Sequence, residues 1–286
     1  MYEIINKIKS YKKYKTISNV IIIEELEHYF KKYPDLKERK LKKSEQKKII
    51  KEIRKKLHRI YSSYQIRKKK DIKRLLNELK NILEQSQINK KAILSITNGL
   101  LSTTLSTKER LPYYKYIYGK IFKLTGKPKT IVDLGAGLNP FSYPYMKLSS
   151  LKYYSYDIDI SDCNLLNNYF SIMNSVGLKG SAKINNINTI EVDNLPQPDI
   201  VFLFKVIDLI DEKNKKKSKE LIKNLIEKNK TRFIVASFST KTLTRKPMNL
   251  SRRIGFEKIL KSMNLKFKDF SIENEIFYVI WKDLIL

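Results

Sequence analysis

Thr130-Ile131-Val132-Asp133-Leu134-Gly135-Ala136-Gly137 is a short aliphatic run, too brief for a helix, that stops on two glycines. Such a run reads as a buried strand entering a tight loop. Asp133 puts a carboxylate at the strand end, and Gly135 and Gly137 let the backbone approach a ligand closely. Downstream, strand-like runs recur at Tyr153–Tyr156, Ile200–Phe204, Phe233–Phe238, Leu265–Phe270 and Ile276–Trp281, and helical stretches near 161–175, 213–228 and 252–263 separate the first of them. This alternation predicts a parallel α/β sheet, with the last two strands close enough to form an antiparallel hairpin at its edge. A ligand crevice is expected at the carboxyl ends of the parallel strands.

Upstream of residue 129 the period is helical. Ile49, Ile50, Ile53, Leu57 and Ile60 form one apolar stripe, and Ile72, Leu75, Leu76, Leu79 and Ile82 another. Ser106-Thr107-Lys108-Glu109 fits a capping box, with Ser106 at the cap of a helix that ends near Gly126. The expected organisation is an all-helical basic domain over residues 1–105 and an α/β domain over 106–286.

The 286 residues carry 59 Lys+Arg against 29 Asp+Glu, a formal charge of +30. Residues 1–130 hold +23 of it (35 basic, 12 acidic), so the excess belongs to the helical half. A charge of that size exceeds what solubility needs and points to a polyanion, in the first place RNA. Arg67, Lys68, Lys69 and Lys70, with Tyr61 and Tyr64 nearby, are candidate phosphate contacts with rings able to stack on bases. A solvated helix face is the plainer reading of the same run.

The lone Cys163 excludes a disulfide framework and a CxxC zinc site, and with only His28 and His58 no metal site and no Ser-His-Asp triad is expected. No apolar stretch reaches the ~18 residues of a membrane span, and the first residues lack the uninterrupted apolar core of a secretion signal. A cytoplasmic location without membrane contact is expected. Within the loop, the third glycine of a dinucleotide fingerprint would fall on Pro140, so the close helix packing of nicotinamide sites is not encoded. Asp157, twenty residues after Gly137, stands where a carboxylate holds ribose hydroxyls. Asp133, Pro140 and the closing hairpin together favour S-adenosylmethionine.

The chain resembles the aminoglycoside-resistance 16S rRNA (guanine-N7) methyltransferases, ribosomal RNA methyltransferases of the FmrO type. The matching segments are Ser106-Thr107-Lys108-Glu109-Arg110-Leu111-Pro112, Val132 to Pro140, Tyr156-Asp157-Ile158-Asp159, Asp199 to Val206, Phe238 to Leu243 with Arg245, and Asn274 to Ile280. The similarity covers about residues 100–282; residues 1–95 match only in being helical and basic, as that family's rRNA-docking domain is.

The resemblance implies a Rossmann-like class I methyltransferase sheet and S-adenosyl-L-methionine as cofactor. It further implies small-subunit 16S-type ribosomal RNA as substrate, most simply at guanine N7, and a monomer. Arg110 would pair with the methionine carboxylate. Asp133, Gly135, Ala136, Gly137 and Asn139 would form the cofactor loop, with Asp157 and Ile158 at the ribose. Asn186 and Ile187 stand where the family usually has Asp-Leu against the adenine, and Phe204 ends the fourth strand. Lys205 would act where base and methyl group meet, and Lys241 and Arg245 resemble RNA-contacting residues. Ser239, where the family often has Pro, and the Gly-poor stretch after Arg245 are departures. Other readings of the same residues are a non-catalytic RNA-binding or ribosome-assembly factor with a vestigial pocket, a methyltransferase for tRNA or a ribose 2′-O, and a nicotinamide oxidoreductase.

Overall fold

The computed structural model describes residues 1–61, 69–87, 89–210, 216–241 and 252–283. Five helices open the chain: α1 (Tyr2–Lys9), α2 (Asn19–Lys32), α3 (Lys43–Tyr61), α4 (Lys69–Leu83) and α5 (Lys90–Leu101). The apolar stripes do what their spacing predicts. Ile49, Ile50, Ile53 and Leu57 of α3 are buried against α1 and α2, while Ile72, Leu75, Leu76 and Leu79 of α4 are buried in a different core.

The capping box is a correction. Helix α6 (Leu105–Arg110) starts one residue before Ser106, with Thr104 at its cap, and Glu109 reaches away from the helix start. Thr104 and Thr107 hydroxyls bond each other at 2.7 Å instead. Pro112 lies in a 3₁₀ turn, so the expected single helix is two, the second being α7 (Tyr114–Thr125), closed by Gly126 at φ +72°.

The sheet follows: β1 (Thr130–Leu134), α8 (Tyr143–Met146), β2 (Leu151–Asp157), α9 (Ile160–Met173), β3 (Leu178–Ile184), β4 (Ile200–Phe204), α10 (Ile207–Ile210), α11 (Lys216–Glu227), β5 (Phe233–Ser239), α12 (Ile254–Ser262), β6 (Lys266–Ile272) and β7 (Glu275–Trp281). Strand order is β3-β2-β1-β4-β5-β7-β6; the first five are parallel, and β7 runs antiparallel to both β5 and β6. The hairpin therefore closes the edge as expected. β3 is the strand that the pattern of residues does not announce, because Leu178-Lys179-Gly180-Ser181-Ala182-Lys183-Ile184 mixes small and charged residues.

Alternate residues of each inner strand face opposite cores. Ile131, Tyr153, Phe202 and Val235 meet α4, α5, α7 and α9; Val132, Val201, Leu203 and Ile234 meet α11 and α12. A third cluster, from Ile4 to Leu57, is contributed by α1–α3 and touches Ile158 and Ile184. Side-chain packing thus draws its seam between residues 57 and 72, upstream of the 105/106 division expected from charge and period. The helical unit is tied to the sheet by Ile17, which bridges Asp159, and by Ser18 N–H, which donates to Ile158 O at 3.2 Å. Asp159 also accepts from Thr16 Oγ1 at 2.6 Å while capping α9 through Asp162 N–H at 2.9 Å. No described helix is long and apolar enough to cross a membrane.

Candidate active site

Strand order reverses at β1, and a crevice open to solvent lies at the carboxyl ends of β1, β2 and β4. Its walls are the loops after β1, β2, β3 and β4, and α6 covers one side. The glycine bend is tied to β2: Gly135 and Ala136 N–H donate to Tyr156 O at 2.8 and 3.1 Å, and Gly137 N–H donates to Asp157 Oδ2 at 2.8 Å. Gly135 has φ +72°, and a Cβ there would lie 2.5 Å from Val206 Cγ1, so the bend admits only glycine without a shift.

Asp157 Oδ1 accepts from the N–H groups of Ile158 and Asp159 at 2.7 and 3.2 Å. Burial raises its pKa, and these three backbone donors pull the other way. Beneath the bend, Asp133 is buried with Oδ2 held by Tyr153 OH at 2.6 Å and Asn139 Nδ2 at 3.0 Å. Asp133 Oδ1 has no hydrogen-bond partner, and burial pushes the carboxyl up to about 6. A buried acceptor left open beside a glycine cradle suits a ligand carrying an ammonium group.

At the other end is a buried charge cluster. Glu275, fully buried at the start of β7, accepts from Arg110 Nε at 2.9 Å and Nη2 at 2.8 Å. It also accepts a hydrogen bond from Ser237 Oγ and lies 3.4 Å from Lys205 Nζ. Burial opposes ionisation of Glu275, yet Arg110 and Lys205 outweigh it and hold the carboxyl below its usual range. Lys205 Nζ donates to Glu109 Oε2 at 2.9 Å. The lysine backbone is left-handed, φ +58°, with its N–H on Ser237 O at 3.1 Å, a conformation that costs a non-glycine residue of order 1 kcal/mol. The Arg110 guanidinium also stands over the Phe204 ring, 4.8 Å from its centroid.

The third wall is set by the helical unit. Asn186 Nδ2 and Thr189 Oγ1 donate to Glu24 Oε2 of α2 at 2.8 and 3.2 Å, which fixes the Asn185–Asn188 loop. Pro140 sits in a 3₁₀ turn (Asn139–Ser142) followed only by the four-residue α8, so the glycine bend opens no long helix to receive a pyrophosphate. The nicotinamide reading loses its main structural device.

The ribosomal RNA methyltransferase (FmrO) family model matches residues 34–279. The chain belongs to that family. Among its relatives, a 16S rRNA (guanine(1405)-N(7))-methyltransferase of Proteus mirabilis is 25% identical over 97% of this chain and 96% of its own length. One of Micromonospora echinospora is 26% identical over 82% of each. Two solved structures share the fold at full length: the 16S rRNA methyltransferase RmtF in complex with S-adenosyl-L-homocysteine (TM-score 0.73, 18% identity, 99% of this chain and 98% of that one) and the 16S rRNA methylase RmtB (0.70, 17%, 99% and 98%).

For this rRNA methyltransferase, the residues expected at the site converge well. Arg110, Gly135, Ala136, Gly137, Asp157, Ile158, Asn186, Ile187, Phe204 and Lys205 all line the crevice. Asp133 and Asn139 lie beneath the bend and support it, Asn139 Oδ1 accepting from Tyr114 OH at 3.2 Å. Lys241 lies at the end of β5, its Nζ 2.8 Å from Glu273 Oε1 on the β6–β7 turn, away from the crevice lining. Arg67, Lys68 and Arg245 fall outside the described residues, and Lys69 and Lys70 are described only as the first turn of α4. Three acids escaped the residue-by-residue reading. Glu109 has the spacing of a capping residue, Glu24 carries no local signal, and Glu275 carries one: a carboxylate heading the otherwise apolar strand Ile276–Trp281.

Proposed function

We propose that this rRNA methyltransferase uses S-adenosyl-L-methionine to methylate N7 of a guanine in 16S-type ribosomal RNA of the small subunit, acting in the cytoplasm as a monomer. The observation that carries the reading is the crevice of a family member, with a glycine bend lying over the buried open acceptor Asp133 Oδ1 and with Arg110 and Lys205 in its lining. The family match over residues 34–279 and the printed activities of the relatives at 25–26% identity support the choice of substrate.

The residues present fit that cofactor. Asp133 would take the methionine ammonium, and Arg110, whose Nη1 has no part in the Glu275 pair, its carboxylate. Asp157 would hold the ribose, and Ile158, Asn186 and Ile187 would enclose the adenine. Bound there, the cofactor supplies an electrophilic methyl group on a sulfonium. Guanine N7 carries a lone pair and no proton, so the chain needs no general base; its task is to align the acceptor and exclude water. Cys163 does not compete as a nucleophile. Its thiol is buried, and burial with the Asp157, Asp162 and Asp159 charges pushes it up to about 12.

Docking falls to the helical unit. Lys43, Lys47, Lys48, Lys51 and Lys55 are exposed on α3, and Lys47, Lys51 and Lys55 follow one another at four-residue steps. Such a row repels itself and gains from a polyanion. Arg67, Lys68, Lys69 and Lys70 continue the basic run in sequence, and Lys241 and Arg245 would add RNA contacts. The test is transfer of labelled methyl groups to small subunits, naked 16S rRNA and tRNA in parallel, followed by mapping. Label at a guanine N7 of the small subunit is expected; label on tRNA, or on a ribose oxygen, would overturn the reading.

A further inference from the structure

In the buried cluster Arg110 lines the crevice and Glu275 is fully buried against it, while Glu109 and Lys205 have no proposed task in holding the cofactor. Exposure rises outward: the Glu275 side chain is 0% exposed, Lys205 10% and Glu109 23%. Lys205 lines the crevice next to Phe204 and Val206, and Glu109, outside that lining and more exposed than the lysine, accepts from its ammonium at 2.9 Å. Glu109 Oε2 takes the Lys205 ammonium, and Oε1 makes no hydrogen bond among the described residues. The rim thus presents, in order from the crevice, a donor and then a carboxylate acceptor.

That order matches one purine. A guanine with N7 toward the crevice shows O6 next, an acceptor, and then N1–H and the 2-amino group, two adjacent donors. An adenine in the same pose shows its 6-amino donor to the lysine and its N1 acceptor to the carboxylate, two repulsive contacts. We infer that Glu109 and Lys205 are the base-reading pair of this enzyme, Lys205 donating to O6 while the Glu109 carboxylate accepts from N1–H and the 2-amino group of the target guanine. The inference rests on the N7 reading above and deepens it. It also explains why an acid stands at the mouth of a site that must admit RNA phosphates, where a carboxylate otherwise works against binding.

The test pairs a base change with a protein change. Small subunits are reconstituted with 16S rRNA carrying guanosine or inosine, which lacks the 2-amino group, at the mapped target, and kcat/KM is measured for the full-length wild type, Glu109→Ala and Glu109→Gln. For the wild type, inosine is expected to be poorer by about 5–100-fold, the range of a specific base contact. Glu109→Ala is expected to be slower on guanosine and to bring the guanosine-to-inosine ratio within about twofold of that for the bare change in N7 reactivity, measured with a small alkylating agent on the two nucleosides. S-adenosylhomocysteine affinity reports that each variant is folded. Should the alanine truncation unfold the chain, the isosteric Glu109→Gln serves, with a reduced ratio expected because its amide NH₂ opposes the base donors. A variant that is slower on both bases at an unchanged ratio assigns Glu109 only to balancing Lys205 and overturns the inference. N7 methylation by the wild type without preference for guanosine overturns it as well, leaving the function standing. Absence of N7 methylation on either RNA overturns the function and the inference together.

Discussion

Asp133 links folding to pH and, under the proposed function, to cofactor affinity as well. Its ordinary carboxyl pKa of 3.8 rises to about 6 because burial penalises the charge more than Tyr153, Asn139 and Arg110 favour it. The folded chain therefore holds the proton more tightly than the unfolded one. This contribution to stability is fully present below pH 4, is lost as pH rises through 6, and leaves a cost above that. An ammonium bound at Oδ1 reverses the balance, since it favours the carboxylate. S-adenosylhomocysteine affinity, measured by calorimetry, is accordingly expected to strengthen as pH rises from 5 to 7, with proton release at the lower end. Asp133→Asn should bind more weakly at pH 7, by about tenfold, and show little change across that interval. A variant as pH-dependent as the wild type would remove Asp133 from the cofactor site.

At the scale of elements, β3 and the α6–α7 break show where local pattern and packing part company. β3 holds its place through register rather than composition: Leu151 to Asp157 pair in parallel with Leu178 to Ile184. Gly180 is there because α9 lies close. A Cβ would come 2.5 Å from Phe170 Cδ1 and 2.6 Å from Tyr153 O, and a backbone oxygen cannot yield as a side-chain tip does. Gly180→Val, though it raises β-propensity, is expected to cost about 1–3 kcal/mol as a lower urea midpoint at unchanged m value. Likewise, Ser106-Thr107-Lys108-Glu109 has the spacing of a capping box, but Glu109 finds a partner in Lys205, 96 positions away. A charge-assisted contact in a partly buried cluster outweighs a cap at a solvated helix end.

For the molecule as a whole, the charge division and the core division do not coincide. The basic excess fills residues 1–130, but α4 and α5 are built into the core of the sheet, and α1–α3 form the separately packed unit. That unit reaches the crevice through Glu24 and Asn186, so the body proposed to dock RNA also holds one wall of the crevice. Replacing Lys47, Lys51 and Lys55 by Ala together is expected to weaken small-subunit binding and to reduce the slope of log K against log salt by about 2–3, since each lost phosphate contact releases fewer counterions. S-adenosylhomocysteine affinity should stay within about twofold. An unchanged slope would place the RNA surface elsewhere on the chain.

The amino-acid order alone determined the α/β architecture, the helical character of the first half, the glycine bend with its flanking carboxylates and the family. Each of these is written in neighbouring residues: a period of two or 3.6, a loop of two glycines, a run of like charge. What tertiary structure decided is which distant groups meet. Arg110 and Glu275 are 165 positions apart and Asn186 and Glu24 162, and no local period encodes such pairs. They arise because β7 inserts beside β5 and α2 lies against the loop after β3, which brings buried charges into contact where each must find a partner to avoid the penalty of desolvation.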